Sequence, residues 1–282
     1  MKIGLVLEGG GMRGAYTAGV LAWFLDNNIE VDYAVGISSG AEHLCTFLGG
    51  SKENLRRVAV DIASTTKVGP GPLLKEGSLV GYDDLFNKIV IQEKMLDLDK
   101  IRTSKIDARF GVYSLSEFET TWIKAQDMDD KFQYLKAACT LPLAGKPVKI
   151  DGVNYLDGGI TTMIPVGESI KNGCEKHLIV TTKPASFVRK PTGAVTNFLM
   201  WCMYHKYPKL LKDLDARTDV YYRELDQINH LVKEGNALHL QPSSDLGIKR
   251  FSGDAKKLGD LFDTAYQDCE NRKEEILTFV KK

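Results

Sequence analysis

The sequence has no excess of charge of either sign. Lysine and arginine together number 37, as do aspartate and glutamate, so the formal net charge is zero. Such a balance gives no long-range attraction to nucleic acid or to an anionic membrane. We therefore expect no nucleic-acid partner, and any peripheral membrane contact has to come from a local patch.

Cysteines are few and carry no ligand pattern. The five of them are scattered through the chain, at Cys45, Cys139, Cys174, Cys202 and Cys269. No pair has the C-x-x-C spacing of a zinc or redox motif, and an odd count without pairing favours reduced thiols in the cytoplasm. We expect neither a metal nor an organic cofactor.

Long hydrophobic runs are also missing. The apolar stretches fall well short of the roughly 20 residues that cross a bilayer. The first run, Ile3–Leu7, is too short for the apolar core of a signal peptide. The sequence thus predicts no transmembrane helix and no secretion signal. The expected location is the cytoplasm, with peripheral contact at the inner membrane surface as an option.

Short apolar strands alternating with helices are the main pattern that is present. The pattern predicts strands over 3–7, 33–37, 110–113, 119–124, 178–182 and 237–241, a hairpin over 148–155, and helices over 15–27, 40–48, 131–139 and 221–232. This alternation is typical of a three-layer α/β/α fold with a mainly parallel central sheet. We expect a catalytic domain over 1–190. A C-terminal extension over 191–282, mostly helical with one strand, is expected to pack on it.

Two other segments receive structural predictions. The stretch 67–81 is rich in Gly, Pro and Lys and is predicted to be a surface loop. The aromatic segment 198–207 is predicted to pack on the core as a helix. Its alternative role is a cover over an acyl pocket or a lipid contact beside Lys206 and Lys209. The helix over 221–232 is interpreted as a packing element.

The strongest chemical signal is Gly36-Ile37-Ser38-Ser39-Gly40. It matches G-x-S-x-G, the nucleophile elbow, and it lies between a predicted strand and a predicted helix as that motif requires. The sharp turn exposes the serine hydroxyl, and the helix N-terminus beyond it stabilises developing negative charge. Ser38 is therefore the candidate nucleophile.

A second signal is the glycine loop Gly9–Gly14 after the first strand. Consecutive glycines allow backbone N–H groups to converge on an oxyanion or a phosphate. The loop also satisfies G-x-G-x-x-G, so a dinucleotide- or phosphate-binding protein is an alternative function. That fold requires an acidic residue at the far end of the second strand, whereas Asp32 stands at its start. The oxyanion interpretation is therefore preferred.

The third signal is Asp157-Gly158-Gly159, which follows a predicted strand. An Asp delivered by a strand into a glycine turn lies at the edge of the sheet. By itself this is an ordinary Asp-Gly turn.

Together the three motifs resemble the patatin-like phospholipase family, and the small-residue segment 137–143 strengthens the likeness. The resemblance covers roughly residues 1–185, and the remainder is similar to the C-terminal extension of a bacterial subgroup. It implies a serine esterase, or lipid acyl hydrolase, that cleaves carboxylic ester bonds of phospholipids or related lipids through an acyl-serine intermediate. Ser38 would be the nucleophile, Asp157 the base, and Gly10 and Gly11, helped by Arg13, the oxyanion hole. It fixes neither the lipid head group nor the oligomeric state.

Two alternatives to this dyad enzyme remain open. Ser38, Asp157 and His239 stand in the chain order of an α/β-hydrolase triad, although Ser38 comes unusually early for that fold. A catalytically idle scaffold that uses the same groove to bind lipid is the other.

Overall fold

A computed structural model describes residues 1–251 and 253–281. Its described residues form one eight-stranded sheet. The strands are β1 (Ile3–Leu7), β2 (Tyr33–Ile37), β3 (Asp107–Ser114), β4 (Glu119–Lys124), β5 (Val148–Ile150), β6 (Val153–Asp157), β7 (Lys176–Val180) and β8 (Ala237–Leu240).

The five strands β3-β2-β1-β7-β8 are parallel neighbours in that order. The antiparallel strands β4, β5 and β6 complete the sheet at the β3 side. Every residue of β1 and β2 is buried, as expected for parallel strands covered on both faces. The prediction of a three-layer, mainly parallel α/β fold is confirmed.

Both edges of β3 are occupied, and this positions the site. Strand β4 pairs with Arg109–Ser114 along one edge. Strands β2 and β6 must therefore share the other edge, where Ile37 lies opposite Gly111 and Asp157 lies opposite Val112. The end of β2 and the end of β6 thus meet at adjacent positions of β3.

Helices cover the two faces of the sheet. They are α1 (Gly14–Asp26), α2 (Ser39–Leu48), α3 (Lys52–Arg56), α4 (Pro70–Glu76), α5 (Tyr82–Phe86), α6 (Leu98–Arg102), α7 (Gln133–Cys139), α8 (Val166–Lys171), α9 (Ala194–Tyr204), α10 (Pro208–Asp215), α11 (Arg217–Lys233), α12 (Ala255–Asn271) and α13 (Lys273–Val280). Alternate side chains of β1 enter opposite layers. Ile3, Leu5 and Leu7 join the core that contains α1 and α12, while Val6 joins the core that contains α11.

The C-terminal third of the chain contributes to the same sheet and core. Strand β8 pairs with β7 in parallel, and α12 packs on α1. The indole Nε1 of Trp23 donates to Glu270 Oε2 at 2.8 Å, which ties the two helices together. These contacts join the tail to the first half, while a domain boundary near 190 stays a prediction.

The prediction of a loop over 67–81 was wrong in part, because α4 lies inside it. Pro70 begins the helix, a position where a missing N–H costs no hydrogen bond. Gly77 ends it in the left-handed conformation (φ 66°) that glycine adopts readily. A proline and a glycine that punctuate a loop elsewhere here mark the two ends of a short helix.

The prediction that 198–207 packs on the core was also wrong. Only Tyr204 of α9 is buried, whereas Phe198 is 62% exposed and Trp201 is 56% exposed. Helix α9 has apolar residues around its whole circumference, but the rest of the protein packs against only one side of it. Across residues 1–251 and 253–281, no helix combines the length and the apolar character needed to cross a membrane.

Candidate active site

Ser38 occupies a strained turn between β2 and α2. Its backbone has φ 53° and ψ −126°, a conformation that costs a non-glycine residue about 1–3 kcal/mol. The flanking glycines make the turn sterically feasible. A Cβ at Gly36 would lie 2.6 Å from the carbonyl oxygen of Gly40, and a Cβ at Gly40 would lie 2.6 Å from that of Leu7. The local sequence therefore builds a nucleophile elbow.

The hydroxyl of Ser38 faces a cavity rather than the core. The residue is 8% exposed and lines a small cavity together with Gly9–Gly11 and Asp157. Its hydroxyl interacts with the carboxyl of Asp157 across this cavity.

Asp157 ends β6 and aims one carboxylate oxygen into the same cavity. Oδ1 accepts the N–H of Gly159 at 2.7 Å, which fixes the side chain. Oδ2 is buried and has no hydrogen-bond partner in the described parts of the chain. Burial raises the pKa of this carboxyl, while the nearby Ser38 hydroxyl and the Gly159 amide favour its ionised form. A buried carboxylate with one free oxygen beside a serine is suited to accept the serine proton.

The glycine loop lines the cavity, but its amides differ in availability. The N–H of Gly10 donates to Ser39 Oγ at 2.9 Å, and the N–H of Gly9 donates to the carbonyl of Met163 at 3.2 Å. The N–H of Gly11 has no acceptor among the residues that the structure describes. Gly11 is therefore the amide of this loop that is free to bind an oxyanion.

The guanidinium of Arg13 is engaged elsewhere. Its Nε donates to the carbonyl of Ile248 at 2.8 Å, and the group stacks on Phe187 with 5.7 Å to the ring centroid. Arg13 is not among the described residues that line the cavity. The structure brings Ser38, Asp157, Gly10 and Gly11 together and leaves Arg13 outside.

Histidine does not contribute to this cavity within the described chain. The ring of His239 is hydrogen-bonded through Nε2 to Thr181 Oγ1 at 2.8 Å, and burial lowers its pKa to about 4. His43 lines a neighbouring apolar pocket, where burial also lowers its pKa to about 4. The titratable group that shares the cavity with Ser38 is therefore the carboxyl of Asp157 and not an imidazole.

The acidic residue of the dinucleotide alternative lies at the other end of the sheet. Asp32 precedes β2 and accepts the N–H of Ile3 at 2.8 Å, at the start of β1. The glycine loop follows the opposite end of β1. A ribose held beside this loop would be remote from Asp32, so the geometry disfavours a dinucleotide site.

Four basic side chains that were not predicted from the sequence line this cavity. They are Lys183, Arg189, Arg217 and Arg250. Lys183 forms a buried ion pair with Glu8, the residue before the glycine loop. Arg217 donates from Nε to the carbonyl of Gly159 at 2.9 Å, and burial and neighbouring arginines lower its pKa to about 9, which leaves it cationic at neutral pH. No motif surrounds these residues, so only their convergence in space reveals them.

Two larger cavities adjoin the cavity of Ser38 and Asp157. An inner pocket with an apolar lining from Val58, Ala59 and Leu85 also contains Glu42, one turn beyond Ser38 on α2. Burial raises the pKa of Glu42 to about 7, so this wall is largely uncharged in mildly acidic solution. An outer cavity of about 660 Å³ opens beside α9 and is bordered by Arg189, Arg217 and Arg250. The site therefore offers an apolar compartment on one side and a cationic border on the other.

Comparison with known families identifies the class of this protein. The model of the patatin-like phospholipases matches residues 5–170, more than half of the chain, and the chain belongs to this family. Residues 207–281 match a second model, described as a domain of unknown function (DUF6363).

Individual relatives are distant and longer. The chain is 28% identical over 196 residues to the uncharacterized protein YjjU of Escherichia coli, covering 67% of this chain and 54% of that protein. It is 25% identical over 195 residues to the probable lipid hydrolase 463L of Invertebrate iridescent virus 6, covering 61% and 65%. It is 23% identical over 316 residues to the lysophospholipase NTE1 of Lodderomyces elongisporus, covering 99% and 20%. The chain thus spans less than two thirds of each of these relatives.

Proposed function

We propose that this protein is a lipid acyl hydrolase that cleaves carboxylic esters with a Ser38–Asp157 dyad. The observation that carries the proposal is the shared cavity. A strained, accessible serine, a buried carboxylate with one unpartnered oxygen and the amide of Gly11 all face the same small space. Membership of the family and the names of the relatives support lipid esters as the substrate class.

The chemistry follows from these groups. Ser38 Oγ attacks the ester carbonyl while its proton passes to Asp157, and the new C–O bond creates a tetrahedral oxyanion. Collapse of this intermediate breaks the bond to the alcohol, which leaves with the proton from Asp157. Water then attacks the acyl-Ser38 ester, again giving its proton to Asp157. The fatty acid leaves and Ser38 regains its proton.

The oxyanion is stabilised by the Gly11 amide and by the N-terminal end of α2. A well-placed donor contributes about 3–4 kcal/mol to such a transition state. Gly10 keeps the loop in position through Ser39, and its own N–H becomes available only when the Ser39 hydroxyl turns away.

The first test is covalent labelling. A fluorophosphonate probe forms a phosphorus–oxygen bond with an activated serine and releases fluoride. We expect labelling of Ser38, found by peptide mass spectrometry, and hydrolysis of at least one ester in a panel of phospholipids, lysophospholipids and acylglycerols. Labelling at another serine, or none together with no ester turnover, would contradict the proposal.

We also propose that α9 contacts a lipid surface. None of its residues is charged, while Phe198, Trp201 and Met203 are exposed, and Lys206 and Lys209 follow directly. Within the helix, Met200 and Trp201 line the outer cavity, so a lipid could pass from the interface toward Ser38. An apolar helix flanked by lysines is typical of interfacial binding.

Substitution on α9 tests this contact. In the Phe198→Gln/Met203→Gln double variant we expect partition onto phosphatidylcholine–phosphatidylglycerol vesicles to fall about tenfold or more, because two apolar side chains are lost from the interface. Sedimentation with the vesicles reports the binding. Hydrolysis of a short, soluble ester is the control and should be unchanged. Equal vesicle binding by wild type and variant would show that α9 does not carry the contact.

A further inference from the structure

Three arginines at the mouth of the catalytic cavity lack acidic partners. Arg189, Arg217 and Arg250 border both the Ser38–Asp157 cavity and the outer cavity. Within residues 1–251 and 253–281, no carboxylate lies within 4.0 Å of any of their guanidinium groups. Each is partly buried, and charges removed from water are ordinarily paired.

Their arrangement is electrostatically unfavourable without a ligand. Burial and then the charge of Arg250 lower the pKa of Arg189 and of Arg217, and the more distant carboxylate of Glu224 offsets this only in part. The Nε atom of Arg189 is buried and has no acceptor in the described structure. Like charges held together with an unsatisfied donor indicate a site that an anion completes.

Separate contacts hold each of the three arginines in place. Arg217 is the first residue of α11, and its Nε donates to the carbonyl of Gly159. The N–H of Arg189 donates to the hydroxyl of Tyr222, and its guanidinium lies over the Tyr221 ring at 5.4 Å. The carbonyl of Arg250 accepts the N–H of Met12 at the glycine loop. All three lie outside residues 5–170, the part that matches the phospholipase family, and two lie in the 207–281 segment.

We propose that the C-terminal region completes the substrate site, and that Arg189, Arg217 and Arg250 bind the phosphate of an acyl ester held at Ser38. The inference rests on the proposed hydrolase function and names its substrate class. The acyl chain occupies the inner apolar pocket, and the phosphate points toward the outer cavity. A tetrahedral phosphate offers oxygens to guanidinium groups arriving from three directions, and its charge offsets theirs.

A matched pair of substrates tests the assignment. Lysophosphatidate and the monoacylglycerol with the same acyl chain differ only in the phosphate. We expect wild type to prefer lysophosphatidate in kcat/KM by about tenfold or more, as one well-placed charged contact supplies. Arg250→Gln and Arg189→Gln should each remove most of this preference, so that kcat/KM falls about tenfold further on lysophosphatidate than on monoacylglycerol.

Arg56→Gln is the control, because Arg56 is an exposed arginine paired with Asp263 away from the site. It should behave as wild type on both substrates, and Arg250→Lys should retain part of the preference. Arg217 is not substituted, since its bond to Gly159 also supports the loop that positions Asp157. Equal preference in wild type and both glutamine variants, or a parallel loss on both substrates, would overturn the assignment.

A binding measurement separates this inference from the hydrolase function. The ether analogue 1-O-alkyl-glycerol 3-phosphate cannot be hydrolysed, and its Kd is measured by calorimetry. We expect weakening of about tenfold or more in Arg250→Gln, with inorganic phosphate competing only weakly because it lacks the alkyl chain. Equal affinity in wild type and variant, with Ser38 still labelled by fluorophosphonate, would reject the phosphate site alone. Retained arginine-dependent binding without any ester turnover would reject the hydrolase function alone.

Discussion

Ser38→Ala is expected to lose ester hydrolysis by a factor on the order of 10⁴ or more, the scale found when a catalytic serine is removed. Without Oγ no acyl-enzyme forms, and fluorophosphonate labelling disappears with it. The fold should be unaffected, because the substitution removes a single hydroxyl from a residue that lines a cavity. Initial rates on the responsive ester and the thermal unfolding midpoint measure the two outcomes.

Ser39→Ala is the matched comparison for this variant. The neighbouring hydroxyl accepts the N–H of Gly10, so its loss frees one amide of the glycine loop and changes no reacting atom. We expect turnover to change by less than about tenfold, since only one neutral hydrogen bond is involved. If Ser38→Ala retained turnover close to that of Ser39→Ala, the nucleophile would have to be another group.

Asp157→Asn is expected to lower turnover by about 10³–10⁴, because an amide cannot accept the serine proton. Asparagine keeps the size of the side chain and an oxygen for the Gly159 N–H, so the elbow and the glycine turn stay in place. The measurement is kcat of the variant and of wild type on the same soluble ester. A rate within tenfold of wild type would exclude Asp157 as the base.

The pH dependence of wild type gives an independent signature of the same group. Burial raises the pKa of Asp157, and only the ionised carboxylate accepts a proton. Activity should therefore fall as the pH drops through this raised pKa, and the residual activity of Asp157→Asn should lack that limb. The same shift means that ionised Asp157 destabilises the fold above its pKa. At pH 7 the variant should unfold at the same temperature as wild type or higher, and this advantage should shrink in acid.

The chemistry-bearing motifs could be located from the sequence because each combines a strand with glycine. The uninterrupted apolar runs of β1 and β2 fix their bounds at the predicted residues, Ile3–Leu7 and Tyr33–Ile37. The glycines that follow permit the tight backbone approaches around Ser38 and Asp157. Local pattern and local structure coincide there, so the sequence is informative.

The cationic border was not predictable, because it depends on tertiary contacts between distant segments. Arg189, Arg217 and Arg250 are three of 37 basic residues, and no periodicity distinguishes them. Their convergence requires β8 to pair with β7 and α11 to begin beside Gly159. The availability of the Gly11 amide was equally unpredictable. It follows from tertiary hydrogen bonds that occupy the amides of Gly9 and Gly10, to Met163 and Ser39.

Helix α9 shows the limit of composition as a guide. An apolar segment predicts burial only when the fold supplies a surface to cover it. Here Tyr204 provides the anchor and most other side chains remain in solvent. Composition indicated a preference for an apolar environment, but the described residues leave most of this helix exposed.

Strand β3 has a consequence for how the proposed activity could diversify. Ile37 and Asp157 pair with consecutive residues of one strand, so the spacing of Ser38 and Asp157 is set by backbone hydrogen bonds. The surrounding loops and the α9 helix take no part in that spacing. Insertions there could reshape the proposed lipid preference while Ser38 and Asp157 kept their separation. A single deletion within β3 would offset Ser38 from Asp157 by one residue and is expected to abolish the proposed hydrolysis.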